Sequence, residues 1–423
     1  MENSYGELRR LSESHVKMQT LMHYVNRENL MAEHWAQVSG KAAGIDGATK
    51  ESYGAGLEEH VDALLGRMKA FSYRPQAVRR TYIPKTDGTV RPLGIPAYED
   101  KLVQGTMAKV LTEIYEPRFL DCSYGFRPKR SCHDVIRVIN QTIMSKKVKY
   151  ILDADIKGFF DNVDHEWLVK FLENDIQDKN FIRYVVRFLK AGVMENGNIS
   201  DSDKGTPQGG LISPVLANVY LHYVLDLWFE KVVKKHLKGE SYLYRYADDY
   251  VVLFQYEDDA KRFYAAMLKR LAKFKLTVAE EKTRIIPFGR YKGTKETFDF
   301  LGFTHVNAVT RTGKYTVLHL TSKKKLKAKR ESAKQWIRWN MHRPVMAIVG
   351  TLCRKLIGHY NYYGVNGNIK GLYKFYDFIR DTLYRALRRR GQKRKINWET
   401  FLRIWVLIPR PRICKNIWQW SNV

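Results

Sequence analysis

Cysteine is scarce in this 423-residue chain: four residues, at positions 122, 132, 353 and 414, none of them closely paired. That spacing excludes the usual zinc knuckles and ribbons, and four scattered thiols make no disulfide framework. Neither CxxC nor HExxH occurs, and GxxxxGK[ST] is missing too, so an ATP-driven motor loses its main support. No segment reaches the ~18 uncharged apolar residues of a membrane span. The opening "MENSYGELRR" lacks the apolar core of a secretory leader, so a cytoplasmic protein is expected. Acidic residues are also in short supply, 44 against 73 Lys and Arg, giving a formal charge of +29. From Arg311 to Val423 the ratio is 27 to four, a surplus of +23 in the last quarter of the chain. So much unpaired positive charge points to a polyanionic partner, nucleic acid first.

What is present reads as a folded chain. At 44% hydrophobic residues it is long enough for two or three domains with their own cores. Residues 1 to about 75 read as mostly helical, broken by a glycine-containing loop at "GKAAGIDGATK". "VRRTYIPKTDGTVRPLGIP" alternates around an Asp-Gly pair, which predicts a β-hairpin. "KVKYILDADI" predicts a strand ending in acids. Beyond "KGTPQGG" a long apolar helix is expected, with Ser213 as its cap and Pro214 as its first residue. A hairpin at "YRYADDYVVLF", a helix from Glu257 to Phe274 and a strand pair ending in "FDFLGF" follow, then basic, aromatic-rich helices from about Leu320. The boundary between the two compositions is expected near residues 305–320.

Side chains alternate along a strand, so Asp153 and Asp155 are expected on one side of "YILDADI". If that strand neighbours the hairpin carrying Asp248 and Asp249, the acids converge at one end of a sheet. Uncompensated, they repel and raise one another's pKa. Magnesium removes that cost, because it is a hard cation that takes carboxylate oxygen and keeps positions open for phosphate and water. Two such ions about 4 Å apart suit an in-line phosphoryl displacement. Taken alone, an Asp-Asp pair is also an ordinary polar turn.

The surroundings decide. "DADIKGFFDN", "GTPQGGLISPVLANVYL", "YRYADDYVV", "EEKTRII" and "FDFLGF", in that order and spacing, resemble the palm motifs of reverse transcriptases of the bacterial group II intron type. "GIDG", "IPKTDGTVRPLGIP" and "SYGFRPKRSCHD" resemble that family's N-terminal extension and finger motifs. The resemblance implies an α+β right-hand polymerase with an antiparallel palm sheet, followed by an all-helical thumb and maturase domain. The implied division is 1–75 for the N-terminal extension, 76–310 for fingers and palm, and 311–423 for the thumb.

Carried over position by position, the resemblance makes Asp155, Asp248 and Asp249, with Ile156 beside the first, the binding set for two Mg2+ ions, with Mn2+ as the alternative. Lys85 and Arg91, with Arg79 as a weaker third, fall where the family contacts the incoming deoxynucleoside triphosphate. Phe160 falls at the gate that excludes a 2′ hydroxyl, although a slip of one residue exchanges it with Phe159. Gln208 borders the nascent base pair, and Lys282 matches a lysine proposed as proton donor to pyrophosphate, or is an ordinary surface lysine. The basic C-terminal region resembles a domain that grips RNA, with Arg388, Arg389, Arg390, Lys393, Arg394 and Lys395 as a phosphate track whose affinity falls as salt rises. The sequence stops soon after "IPRPRICKNIW", and this shortness resembles the group IIC proteins, so the endonuclease region that many relatives carry is not expected.

The expected function is therefore RNA-directed DNA synthesis in a bacterial cytoplasm, using an RNA template, a DNA primer and deoxynucleotides, with binding to a group II intron RNA to assist splicing and retrohoming. Two alternatives stay open: a domesticated enzyme of defence or repair, and a non-catalytic RNA-binding splicing cofactor.

Overall fold

The computed structural model describes residues 2–84, 90–195, 198–200, 204–206, 209–390 and 396–418. Its fold is α+β, with three sheets and a helical C-terminal region. β1 (Val78–Pro84) and β2 (Val90–Ile95) form the expected antiparallel hairpin, Pro84 opposite Val90. They share a four-stranded sheet with β4 (Val193–Glu195) and β5 (Asn198–Ser200), β4 running parallel to β1.

The central sheet has the order β6-β7-β3-β8, with β3 spanning Tyr150–Ala154, β6 Ser241–Tyr246, β7 Asp249–Phe254 and β8 Arg284–Pro287. All its pairings are antiparallel. Its two middle strands are apolar almost throughout because both faces are covered. Leu152 and Ala154 of β3, with Tyr250, Val252 and Phe254 of β7, pack into a large core with Ala260, Phe263, Met267 and Leu271 of the helix Glu257–Lys273. Their neighbours Ile151, Val251 and Leu253 face the other way, onto Val135, Ile139 and Ile143 of the helix Cys132–Ser145. Both helices show the i, i+3/i+4 spacing of an apolar stripe, and Ser131 with Asp134 closes a capping box that starts the second one. Each such fully buried side chain contributes roughly 1.5–3 kcal/mol, so the sheet is a stiff platform.

The apolar helix after the glycine-rich loop runs Ser213–Leu221, with Ile212 in the cap position and Ser213 as its first residue. The expected cap is thus shifted by one, because Ile212 already has helical backbone angles. The helix then widens into two π-helical stretches, His222–Asp226 and Phe229–Val233.

A third sheet, β11-β10-β9, is built from β9 (Thr297–Phe300), β10 (Phe303–Val309) and β11 (Tyr315–Thr321). The expected division at 310/311 falls inside the β10–β11 hairpin. Beyond it, the helices Lys323–Asn340, Val345–Tyr363, Ile369–Arg390 and Trp398–Trp405 pack around Leu352, Leu356, Tyr360, Leu372, Ile379 and Phe401. No helix among the described residues is long and apolar enough to cross a membrane.

His359 sits inside this helical core, 1% exposed, with its ring 4.5 Å from that of Phe375. Neither ring nitrogen has a hydrogen-bond partner, and burial pushes the imidazole pKa down to about 3. The unfolded chain protonates this residue near pH 6.5 and the folded chain resists. Its neutral form therefore supports the fold fully above about pH 6.5, and that support is lost as pH falls towards the folded value. His359→Phe is expected to melt higher than the parent, its advantage growing by about 1 kcal/mol for each pH unit below about 6.5. Melting curves between pH 7 and 4 check this, and a pH-independent difference contradicts it.

Candidate active site

The hairpin β6–β7 is closed by Ala247 and Asp248, with Tyr246 paired to Asp249. A two-residue turn needs positive φ to match the strand twist, and Ala247 supplies it at φ 57 although it is not glycine. A side chain at Gly125 would stand 2.2 Å from the Ala247 nitrogen, so a neighbouring loop lies backbone-to-backbone against the turn. Next to this turn β3 ends, its Ala154 paired with Tyr250, and Asp155 follows immediately. Asp155 is fixed by its own carbonyl, which accepts a hydrogen bond from the Ala279 amide at 2.8 Å.

The sheet thus brings Asp155, Asp248 and Asp249 into one electrostatic neighbourhood. Asp249 is open to water yet set among protein atoms that displace much of its hydration. That burial, followed by the charges of Asp248 and Asp155, pushes its pKa up to about 7. Burial also raises Asp248, with Asp155 adding to the effect and Arg91 and Arg245 opposing it. Asp153, half-buried opposite Arg284, is pushed up to about 7 by burial, with Asp249 and Asp155 among the charges adding to it. The Lys282 ammonium donates to Asp155 at 2.9 Å, and that bond raises the lysine pKa.

This is the charge pattern of a site that gains from a cation. Oxygen donors on three carboxylates suit a hard divalent ion. As they lie, however, no three His, Cys, Asp or Glu side chains among the described residues stand close enough to cage one. Assembly of a ligand set requires the carboxylates to draw together and Lys282 to yield Asp155. The Ile156 side chain is buried and carries no donor, leaving only its main-chain carbonyl as a ligand.

Arg91, the second residue of β2, is exposed and near enough to Asp248 for its charge to be felt there. Arg79 is already engaged, its guanidinium donating twice to the Ala43 carbonyl, at 3.1 and 2.6 Å. Lys85 and Gln208 lie outside the described residues. Gly209, at φ 119, has the Gly94 carbonyl 2.5 Å from where a Cβ would stand, so the backbone at Gly209 meets β2 by a contact only glycine permits.

Phe160 and Phe159 separate clearly. Phe159 is buried against Tyr220, whereas Phe160 is half-buried with its ring edge-on to the exposed Phe126. In the C-terminal region, Arg388, Arg389 and Arg390 form the exposed last turn of the helix Ile369–Arg390, and Arg390 donates to the Arg343 carbonyl at 2.7 Å. Lys393, Arg394 and Lys395 lie outside the described residues.

Sequence reading gave no role to Lys325, at the start of the helix Lys323–Asn340. Its charge reaches Asp249 across a tertiary contact that no local pattern announces. Asp153 was recognised as facing the same way as Asp155, but its own raised pKa depends on the cover that packs over it.

Residues 83–305, just over half of the chain, match the family model described as reverse transcriptase (RNA-dependent DNA polymerase). Group II intron-encoded protein LtrA of Lactococcus lactis subsp. cremoris is 39% identical over 211 residues, covering 49% of this chain and 34% of LtrA. Protein YkfC of Escherichia coli is 34% identical over 214 residues, covering 49% of this chain and 56% of YkfC. An uncharacterized 91 kDa protein in the cob intron of Schizosaccharomyces pombe is 38% identical over 172 residues, 41% of this chain and 21% of that one. The matches therefore span between a fifth and just over half of these relatives' own length. A telomerase from Candida albicans, in complex with a TWJ fragment of telomeric RNA, aligns at a TM-score of 0.46 and 13% identity over 85% of this chain and 66% of that one. The matched segment carries β3, the β6–β7 hairpin and the carboxylates at their ends, and on that match the chain belongs to the reverse transcriptase (RNA-dependent DNA polymerase) family.

Proposed function

We propose that the protein is an RNA-directed DNA polymerase that extends a DNA primer along an RNA template by nucleotidyl transfer. The observation that carries this reading is the placing of Asp155, Asp248 and Asp249 at one end of the central sheet, where burial and the charge of Asp155 raise the pKa of both Asp248 and Asp249. In this reading the three carboxylates hold two magnesium ions, or manganese in their place, which activate the primer's 3′ hydroxyl and neutralise the departing pyrophosphate.

The chain's own residues supply the rest. Arg91 presents a fork-shaped donor to triphosphate oxygens, with Lys85 as a second cation on the same hairpin. Arg79, bound to Ala43, braces the loop at residues 40–50 against the fingers. Phe160 lies under the sugar and leaves no room for a 2′ hydroxyl, so deoxynucleotides are preferred. Lys282, which donates to Asp155, would be freed if metal held that carboxylate and could then donate a proton to pyrophosphate.

The basic helices after residue 311 act as the thumb and RNA-gripping module, with Arg388, Arg389 and Arg390 on phosphates. Two of the relatives are named for introns, which favours a group II intron RNA as partner, with splicing and retrohoming as the biological setting in a bacterial cytoplasm. The test is extension of a DNA primer annealed to an RNA template, with deoxynucleotides and Mg2+. A well-folded preparation that adds no nucleotide removes the reading.

A further inference from the structure

Arg245 lies on β6, two residues before Ala247, and is 0% exposed. Nothing in the proposed chemistry uses it, yet all five of its N–H donors are spent. Nε and Nη2 take both oxygens of Asp226, at 2.8 and 2.5 Å, and Nη2 also donates to Ser123 Oγ at 2.8 Å. Nη1 donates to Asn218 Oδ1 at 3.0 Å and to the carbonyl of Ala247 at 2.8 Å. Asn218 in turn donates from its amide to the Gly125 carbonyl at 2.7 Å. Gly125 belongs to the loop pressed against the Ala247 nitrogen. The same loop is tied to the strand by Arg245 N to Cys122 O at 2.8 Å and Tyr124 N to Arg245 O at 2.9 Å.

Three elements thus meet on one guanidinium: the loop 122–125, the helix that carries Asn218, and its π-helical continuation that ends at Asp226. Local π winding is frequent where a helix serves a site, and here Asn218 and Asp226, eight residues apart, both face Arg245. A buried ion pair gives little stability beyond what apolar residues of the same volume provide. What this pair adds is geometry. The Ala247 backbone is in the left-handed region, a conformation that a non-glycine residue keeps only when its surroundings over-determine it. The grip on the Ala247 carbonyl and the loop against its nitrogen are that over-determination, and the next residue is Asp248.

We infer that Arg245, held by Asp226, Asn218 and Ser123, is a positioning residue that fixes the strained Ala247–Asp248 turn and thereby aims the Asp248 carboxylate at the metal. This rests on the proposed metal-dependent reading and identifies what aligns its site.

The test replaces the pair by apolar residues of similar size, Arg245→Met with Asp226→Leu, and compares it with the parent. Three quantities are read: melting temperature, Mn2+ affinity from the spin-resonance signal of free Mn2+, and kcat and KM for primer extension. The site's Mn2+ is defined as the binding lost in Asp248→Ala. The expected result is a melting temperature within a few degrees of the parent, Mn2+ binding weakened about tenfold and kcat lowered about 100-fold, with KM for the primer–template little changed. Adding Ala247→Gly should recover part of both losses, because glycine takes a positive φ without steric cost; a merely structural role for Arg245 predicts no such rescue.

Should the double variant not fold, Arg245→Lys keeps a charge beside Asp226 but loses the fork that reaches Ala247 and Asn218, and the same two losses are expected. Mn2+ affinity and kcat within about twofold of the parent in a folded variant overturn the inference. A parent that binds Mn2+ but extends no primer defeats the polymerase reading alone, since the Mn2+ comparison still decides the role of Arg245. A parent with no Mn2+ site dependent on Asp248 defeats both.

Discussion

Asp248→Ala is expected to lower RNA-templated primer extension at least about 1,000-fold, while the protein stays folded. The two halves of this expectation have one origin. Asp248 sits in a turn beside two other carboxylates, and burial together with the charge of Asp155 raises its pKa. In the absence of metal it is a source of repulsion, so its removal should leave the melting temperature unchanged or higher. In the proposed metal-bound site it would be a ligand that no neighbour replaces, because Asp153 is committed to the strand pairing with β8 and sits half-buried opposite Arg284. Extension assays and melting curves on the same preparation separate the two effects. Loss of activity together with a large fall in melting temperature would mean that the residue is structural.

Phe160→Ala is expected to narrow the preference for deoxynucleotides over ribonucleotides by about 100-fold, the ratio of kcat/KM for the two substrates being the readout. The family resemblance puts the gate at Phe160, and a slip of one residue exchanges it with Phe159. Their surroundings rank them. Phe159 is buried in the large core against Tyr220, whereas Phe160 keeps a half-exposed face beside Phe126. Phe159→Ala should accordingly cost about 3–5 kcal/mol of stability and leave sugar discrimination in place. An exchange of these two phenotypes would show that the register is off by one.

The parts of the fold that were legible in the sequence are those governed by short-range rules. An Asp-Gly pair between alternating residues announces the β1–β2 hairpin. "YILDA" and "DYVVLF" are continuous apolar runs because their sheet is covered on both sides. The acids at their ends stand out because nothing else in those runs is charged. The carboxylate cluster was therefore readable as a candidate, although its incomplete convergence was not, since the Lys282–Asp155 bond is a tertiary event.

Other features were hidden for similar reasons. The third sheet runs across a change in composition that looked like a boundary, because β11 is held by pairing with β10 and not by its own residue preferences. Arg79 reads as a phosphate ligand from its position on the hairpin, yet a carbonyl from residues 40–50 reaches it first. The Arg245–Asp226 pair did leave a trace. An arginine inside "SYLYRY" and an aspartate inside "YVLDLWF" are each a charge in an apolar run, and two such misfits of opposite sign are a signal to pair them across the fold.

The central claim is that residues 155, 248 and 249 close on divalent metal where a primer end can reach it. Anomalous diffraction from crystals grown with Mn2+, an RNA template, a chain-terminated DNA primer and a deoxynucleoside triphosphate tests it most directly. The account predicts two Mn2+ peaks about 4 Å apart among the three carboxylates, with Lys282 withdrawn from Asp155. Peaks elsewhere on the protein, or none within coordination distance of Asp248, would contradict it.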